Sequence, residues 1–410
     1  MDFELTDEQR RLQRIARDFA YREIRPLATE LDRKQGQESF PLELLRRASR
    51  LGLRTMRVPR EHGGLGTDLL TEAIVMEEIA VGDCGFAMTL AHAWREGYLL
   101  ACHTSPEQRR RFLPEFMADD TYLTAYALTE EHAGSDHGLP YAGDLEAGMR
   151  TSAVLEGDHW VINGRKRFIT NGNVARLIVL FARTDPTVAW TEGISCFLVP
   201  SDAPGLRVGR FEDKLGLRLN QNVELIFEGC RVPRENLVGV LNRGHELAEA
   251  VGPGSKVREG ARALGVARAC YEHALTWCRE RVQGGRRLAE HQLIASILAE
   301  MATEIELARS LLWRAAWAVD HDPDHHRPLE DMVKQTTSEL AVRTATRTMQ
   351  LFGARGALRE HPIEKLMRDA ATIMLPPMGT YASRVRLSRW LLAHPTVGPL
   401  LSAAEPQPAG

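Results

Sequence analysis

The chain has 410 residues and a mass of 45.9 kDa, with 44% hydrophobic and 26% charged residues. That is the composition of an ordinary globular protein and excludes a disordered or fibrous chain; at this length it divides into two or three domains and needs neither disulfides nor metals to fold. Lys plus Arg number 52 against 55 Asp plus Glu, a net charge of -3, so no basic excess attracts phosphate backbones and nucleic acid is not an expected partner.

The cysteines Cys84, Cys102, Cys196, Cys230, Cys270 and Cys278 form no Cys-x-x-Cys pair. This is the usage of a reducing compartment without a zinc signature. The first residues, Met1-Asp2-Phe3-Glu4, lack a basic then apolar leader, and the longest apolar stretch, Ala175 to Ala182, contains Arg176 and is too short for a bilayer. A cytoplasmic protein without a membrane span is expected.

Residues 1–121 read as an all-helical domain, because apolar residues recur at three and four spacing through Leu12, Ile15, Phe19 and Ile24. Pro59 with Gly63-Gly64-Leu65-Gly66 marks a loop, and Ser105-Pro106-Glu107 opens a helix through Phe112 and Phe116. Over residues 122–241 the period shifts toward two, in Trp160 to Ile162, Leu177 to Phe181, Ser195 to Val199 and Val223 to Phe227. No long helical pattern separates these runs, which predicts an antiparallel sheet or small barrel. Helical periodicity returns over 242–395, where Ile294, Ile297, Leu298, Met301, Ile305, Ala308 and Leu312 make one apolar stripe, a core face and not a cofactor box. A break at Asp320 to Pro328 places His325 and His326 in a solvated loop, and residues 396–410, with Ser402 to Gly410, read as a tail.

Several local segments carry chemistry. Tyr126-Ala127-Leu128-Thr129-Glu130-Glu131-His132-Ala133-Gly134-Ser135-Asp136 is followed by Asn163 to Gly172, by Arg281 to Gln292, by Gln350 to Gly356 and by Glu364 to Ala370. In that order they resemble the acyl-CoA dehydrogenase family over nearly the full length, with Glu131 where the family signature has Pro. The resemblance implies an α+β fold: an N-terminal helical domain, a central small β-barrel or sheet domain and a C-terminal four-helix bundle. It also implies an FAD cofactor.

Flavin chemistry needs donors aimed at N1, O2 and N5 of the ring, so that charge gained on reduction meets preorganised dipoles. By position in the motifs, the resemblance implies Thr129 near N1 and O2, Thr170 near N5, Phe168 beside the ring, and Gly134 and Ser135 where backbone and hydroxyl approach phosphate. It further implies Arg281 at the pyrophosphate of a neighbouring subunit, with Gln292, Gln350, Gly353 and Thr380 completing the cofactor set, and hence a homodimer or homotetramer. One departure stands out: the family's Phe-Gly after Arg281 is Gly284-Gly285, so an aromatic contact is missing.

The family's base is a glutamate before Gly-Thr. Before Gly379-Thr380 stands Met378, or Pro377 if the preceding helix sets the register, and neither accepts a proton. The alternative family location falls on Ser255, beside Lys256; Glu259, one turn further on, is the candidate displaced base, with Asp136 or a histidine behind it. Trp94 and Arg95, with Ser135, fall where the family binds substrate, and imply a short, carboxylated or decorated acyl group. The expected reaction is α,β-desaturation of an acyl thioester, on coenzyme A or an acyl carrier protein, with electron-transferring flavoprotein or oxygen as acceptor. A flavin monooxygenase and a non-catalytic flavin-binding homologue are the alternatives that the missing glutamate raises.

Overall fold

The computed structural model describes residues 4–34, 36–138, 147–322, 326–376 and 378–393. His325, Pro377 and the stretch Ser402 to Gly410 lie outside the described residues. Six α-helices come first: α1 (Asp7–Phe19), α2 (Arg25–Arg33), α3 (Leu42–Arg50), α4 (Leu69–Gly82), α5 (Cys84–Cys102) and α6 (Pro106–Ala118). Local chemistry starts them. Thr6 and Ser105 each form a capping box, with Gln9 and Gln108 answering from the third helical position, and the aspartates Asp68 and Asp83 accept the first-turn amides of α4 and α5.

The middle of the chain is a sheet in the order β6-β7-β3-β2-β4-β5-β8, with β1 alongside β4. Its strands are β1 (Thr124–Ala127), β2 (Ser152–Glu156), β3 (His159–Thr170), β4 (Leu177–Arg183), β5 (Ile194–Pro200), β6 (Leu206–Phe211), β7 (Asn222–Pro233) and β8 (Leu237–Val238). The expected antiparallel pairing holds for most neighbours. It fails at β4, which pairs in parallel with β1, from Thr124 against Leu177 to Ala127 against Leu180, and with β2, Ser152 against Arg183. β4 is buried along almost its whole length, so it takes partners on both edges.

The remaining helices are α7 (Gly244–Val251), α8 (Ser255–Glu280), α9 (Gln292–His321), α10 (His326–Phe352), α11 (Ile363–Ile373) and α12 (Gly379–Ala393). Between α8 and α9, β9 (Val282–Gln283) and β10 (Arg286–Arg287) form a hairpin over Gly284 and Gly285, whose φ angles of 62° and 80° suit a turn that needs positive φ at both central residues. The glycine pair that departs from the family thus makes this turn.

Leu12 and Phe19 of α1, Ile79 of α4, Phe86 of α5, Leu264 of α8, Leu312 of α9 and Leu329 of α10 belong to one apolar core. The N-terminal helices and the C-terminal bundle therefore share their interior, and Gly265 lets α8 approach α4: a Cβ there meets Ala80 Cβ at 2.6 Å and Glu77 O at 2.7 Å. The stripe on α9 faces inward as expected, with Leu298, Met301, Ile305, Ala308 and Leu312 buried. His326 corrects the loop expectation. It opens α10, is buried, and its Nδ1 lies 2.9 Å from Glu330 Oε1, while Glu330 Oε2 accepts the Gly254 amide at 3.0 Å.

Candidate active site

Three segments meet around the last turn of β3. The main chain of Arg167 donates to Thr129 O at 2.9 Å, which lays the loop after β1 against the end of β3, three residues before Thr170. The β3 to β7 register slips between Lys166 and Ile169, and there Phe168 adopts φ 57° and presents a ring that is 51% exposed. Such a bulge re-aims a side chain out of the sheet. Beyond it, Thr170 is buried opposite Asn222, and Asn171 sits at φ 62°.

The Thr129 loop is fixed from below. Lys166 donates from a fully buried position to Glu130 Oε1 at 2.7 Å and to Leu128 O at 2.9 Å, while the Glu130 carboxylate also accepts the amides of Arg150 and Thr151. Burial alone raises the Glu130 carboxyl, but the Lys166 ammonium and these amides outweigh it and hold the group below its ordinary range. Glu131, in the place of the family's Pro, is exposed and pairs with Arg167.

These residues fit a flavin ring. The Thr170 hydroxyl accepts from Asn222 Nδ2 at 3.1 Å, which leaves its own hydrogen to donate. The wholly buried amide of Asn171 finds no hydrogen-bond partner through either its nitrogen or its oxygen. Thr129 is half-buried beside Gly134, whose missing side chain leaves its Cβ position 3.4 Å from Thr129 Cγ2. Ser135 is exposed on the turn Ser135–Gly138, against which α12, the helix that contains Thr380, packs.

Arg281, Gln292, Gln350 and Gly353 lie apart from this cradle, all exposed. Trp277 stacks on Phe352 with centroids 4.6 Å apart, and the guanidinium carbons of Arg281 and Arg355 stand 5.9 and 5.6 Å from the Trp277 ring. Arg281 and Gly353 are thus gathered at one end of the bundle, and Gln292 starts α9 beside the glycine hairpin.

Met378 takes φ 62° and Gly379 φ 67°, ahead of the buried Thr380. Arg386 Nη1 lies 3.4 Å from Met378 Sδ, Arg386 Nε lies 3.5 Å from Asp331 Oδ2, and Asp331 Oδ1 binds Lys256. Asp331 therefore links Lys256, next to Ser255, with Arg386, next to Met378, a link that sequence spacing does not reveal. Lys334, fully buried, donates to Ile373 O at 2.6 Å and to Pro376 O, holding the loop that leads to Met378. Burial, reinforced by Arg262, drives the Lys334 ammonium well below its ordinary pKa. Glu259 is buried between α8 and α10; Arg262 holds its Oε2, and its Oε1 accepts no hydrogen bond, with Lys334 Nζ 3.7 Å away.

The two substrate residues of α5 occupy different settings. Trp94 is fully buried in the helical core, and its indole nitrogen donates to Leu53 O at 2.6 Å. Arg95 binds Glu96 Oε1 at 2.6 Å and places its guanidinium carbon 3.9 Å from the Tyr126 ring centroid. Its charge is thereby already matched by a buried carboxylate. Two surface cavities of about 530 and 420 Å³, lined by Arg57, Glu72, Tyr98 and Arg258 and by Lys214, Arg218, Arg359 and Arg368 among others, involve neither residue.

The Thr170 hydroxyl with its hydrogen free to donate, the exposed Phe168 ring and the Thr129 loop bonded to the same strand fit a flavin ring on a helix, sheet and helix frame. The N-terminal, middle and C-terminal domains of acyl-CoA dehydrogenase match residues 6–120, 125–230 and 242–382. A short-chain-specific acyl-CoA dehydrogenase of Clostridium acetobutylicum is 36% identical, over 90% of this chain and 94% of its own. A cyclohex-1-ene-1-carbonyl-CoA dehydrogenase of Syntrophus aciditrophicus is 37% identical, over 95% of this chain and 91% of its own. Butyryl-CoA dehydrogenase from Megasphaera elsdenii superposes with a TM-score of 0.88 at 31% identity, covering 96% of this chain and 100% of that one. The chain belongs to the acyl-CoA dehydrogenase family, FAD-dependent oxidoreductases that act on CH-CH groups.

Proposed function

We propose that this protein desaturates an acyl-CoA thioester between its α and β carbons in a specialised pathway, with Glu259 as the displaced proton acceptor. Thr129, Phe168 and Thr170 hold the ring of FAD, Gly134 and Ser135 approach its phosphate with Thr380 completing the set, and Arg281, Gln292, Gln350 and Gly353 hold its far end across a subunit contact. Bound FAD supplies the acceptor for the hydride that leaves the β carbon. The protein supplies orientation, donors at the ring edge and a base for the α proton.

The observation that carries the base is that Glu259 Oε1 accepts no hydrogen bond among the described residues, while Lys334 Nζ pairs with it at 3.7 Å and Arg262 holds Oε2. The other carboxylates are engaged more closely: Glu130 binds Lys166, Asp331 binds Lys256 and Arg386, Asp136 accepts the Gly134 amide, and Glu96 binds Arg95. Met378 and Ser255 offer no basic atom. With Arg95 matched by Glu96, a short or neutral polar acyl group fits better than a carboxylated one.

Anaerobic titration of the FAD-loaded protein with a panel of acyl-CoA thioesters tests this reading. Bleaching of the flavin band is expected, with its loss in Glu259→Gln. Unchanged bleaching in that variant removes Glu259 as the base. Bleaching by reduced nicotinamide or a flavin reductase alone, with oxygen then consumed on substrate, replaces the dehydrogenase with a monooxygenase.

A further inference from the structure

Asn222 opens β7 directly opposite Thr170. Its side chain has one acceptor end and one donor end, and the direction in which it sits decides what Thr170 can do. Asn222 Oδ1 lies 2.7 Å from Lys214 Nζ, and the same Nζ reaches the carbonyl oxygens of Leu217, at 2.9 Å, and of Asn220. In its ammonium form, a nitrogen facing three oxygens donates one hydrogen to each of them, so protonated Lys214 fixes Oδ1 on its own side. The amide nitrogen is then turned to β3, where it donates to Phe168 O at 2.7 Å and to Thr170 Oγ1 at 3.1 Å. A hydroxyl carries a single hydrogen. With its oxygen accepting from Asn222, Thr170 keeps that hydrogen for a ligand.

We propose that Asn222, oriented by Lys214, is a positioning residue that sets the Thr170 hydroxyl as a hydrogen-bond donor to the flavin ring. It rests on the assignment of Thr170 to the ring edge made above. Neither residue lies in the motifs that carry the site candidates, because the link joins β3 to β7 and to the loop before it, segments far apart in sequence.

The test reverses the polarity of one bond. In Asn222→Asp the side chain keeps its size and its contact with Lys214, but a carboxylate only accepts, so it captures the Thr170 hydrogen. FAD affinity is read from quenching of flavin fluorescence on reconstitution of the apoprotein, with thermal unfolding of the apoprotein as the control for folding. Binding is expected to weaken by about five- to tenfold, the range of one lost hydrogen bond. In a Thr170→Ala background the same substitution is expected to add nothing.

Unaltered affinity in Asn222→Asp while Thr170→Ala weakens binding overturns the positioning role. So does an equal loss in both backgrounds, which makes Asn222 act without Thr170. If Thr170→Ala itself leaves FAD affinity and the flavin spectrum unaltered, the assignment of Thr170 fails first, and the two failures are distinguished. Should Asn222→Asp not fold, Asn222→Ala, which keeps the main-chain pairing, is read in the same cycle by the same criteria.

Discussion

Lys166 Nζ lies 2.7 Å from Glu130 Oε1, and the lysine has no exposed surface. The pair joins β3 to the loop that carries Thr129, so it supports the cradle as well as the fold. Glu130→Gln leaves a buried ammonium without its counter-charge, and a loss of about 3–5 kcal/mol in urea unfolding is expected. The pH profile has a definite sign. Because the folded Glu130 carboxyl is held below its unfolded value, its stabilisation is present above about pH 4.3 and is lost as pH falls through the folded value. Glu130→Gln should therefore show a flatter acid limb than the wild type.

Lys214 titrates in the opposite sense. Burial pulls its pKa down to about 7, against the pull of Asp369 and Asp83 and with help from Arg218 and Arg262. Between about pH 7 and its unfolded value near 10.4 the unfolded chain holds one more proton, so wild-type stability rises with pH across that window relative to Lys214→Met. Below about pH 7 the difference between the two proteins should level off. A difference that stays constant from pH 6 to pH 10 excludes the depressed lysine.

Gly216 touches the main chain of α11 where that helix meets the Lys214 loop. A Cβ at this position lies 2.4 Å from Arg368 O and 2.7 Å from Asp369 N, both unyielding backbone atoms. Gly216→Ala is expected to cost about 1–3 kcal/mol and to weaken FAD binding, since Lys214 and Asn222 move with the loop. Calorimetry and fluorescence titration read the two effects separately.

Met378→Glu puts a carboxylate at the position that the resemblance assigns to the family's base. With bleaching by a simple straight-chain acyl-CoA as the readout, a gain of at least about tenfold over the parent is expected if the position faces substrate. No gain, in a variant that still binds FAD, places the substrate beyond reach of residue 378. Arg386, now 3.4 Å from the Met378 sulfur, becomes the partner of the new carboxylate.

Much of this was legible from residues in series. Helix starts at Ser105 and the inward stripe of α9 follow from local rules, since caps and periodicity act over a few residues. The segments that carry Thr129 and Thr170 are legible as motifs, and a main-chain bond from Arg167 to Thr129 joins the two segments. Pairings between distant segments were not. β1 joins β4 in parallel because an already buried strand has a free edge, which no local alternation signals. His326 looked solvated beside prolines and aspartates, yet Glu330 one turn along α10 supplies the partner that lets it be buried. Trp94 looked like a pocket wall by alignment, while Leu53 O, on another segment, decides that its ring turns into the core.

The interior shared by α1, α4, α8 and α9 has a consequence for biosynthesis. Leu12, Phe19 and Ile79 leave the ribosome well before Leu264 and Leu312, the side chains against which they pack. At roughly 5–20 residues per second, about 200 further residues take on the order of 10–40 s to emerge. For that interval the nascent helices display a greasy flank that a chaperone is well placed to shield, and a ribosome stalled in the sheet region leaves an orphaned, sticky fragment in place of a finished domain.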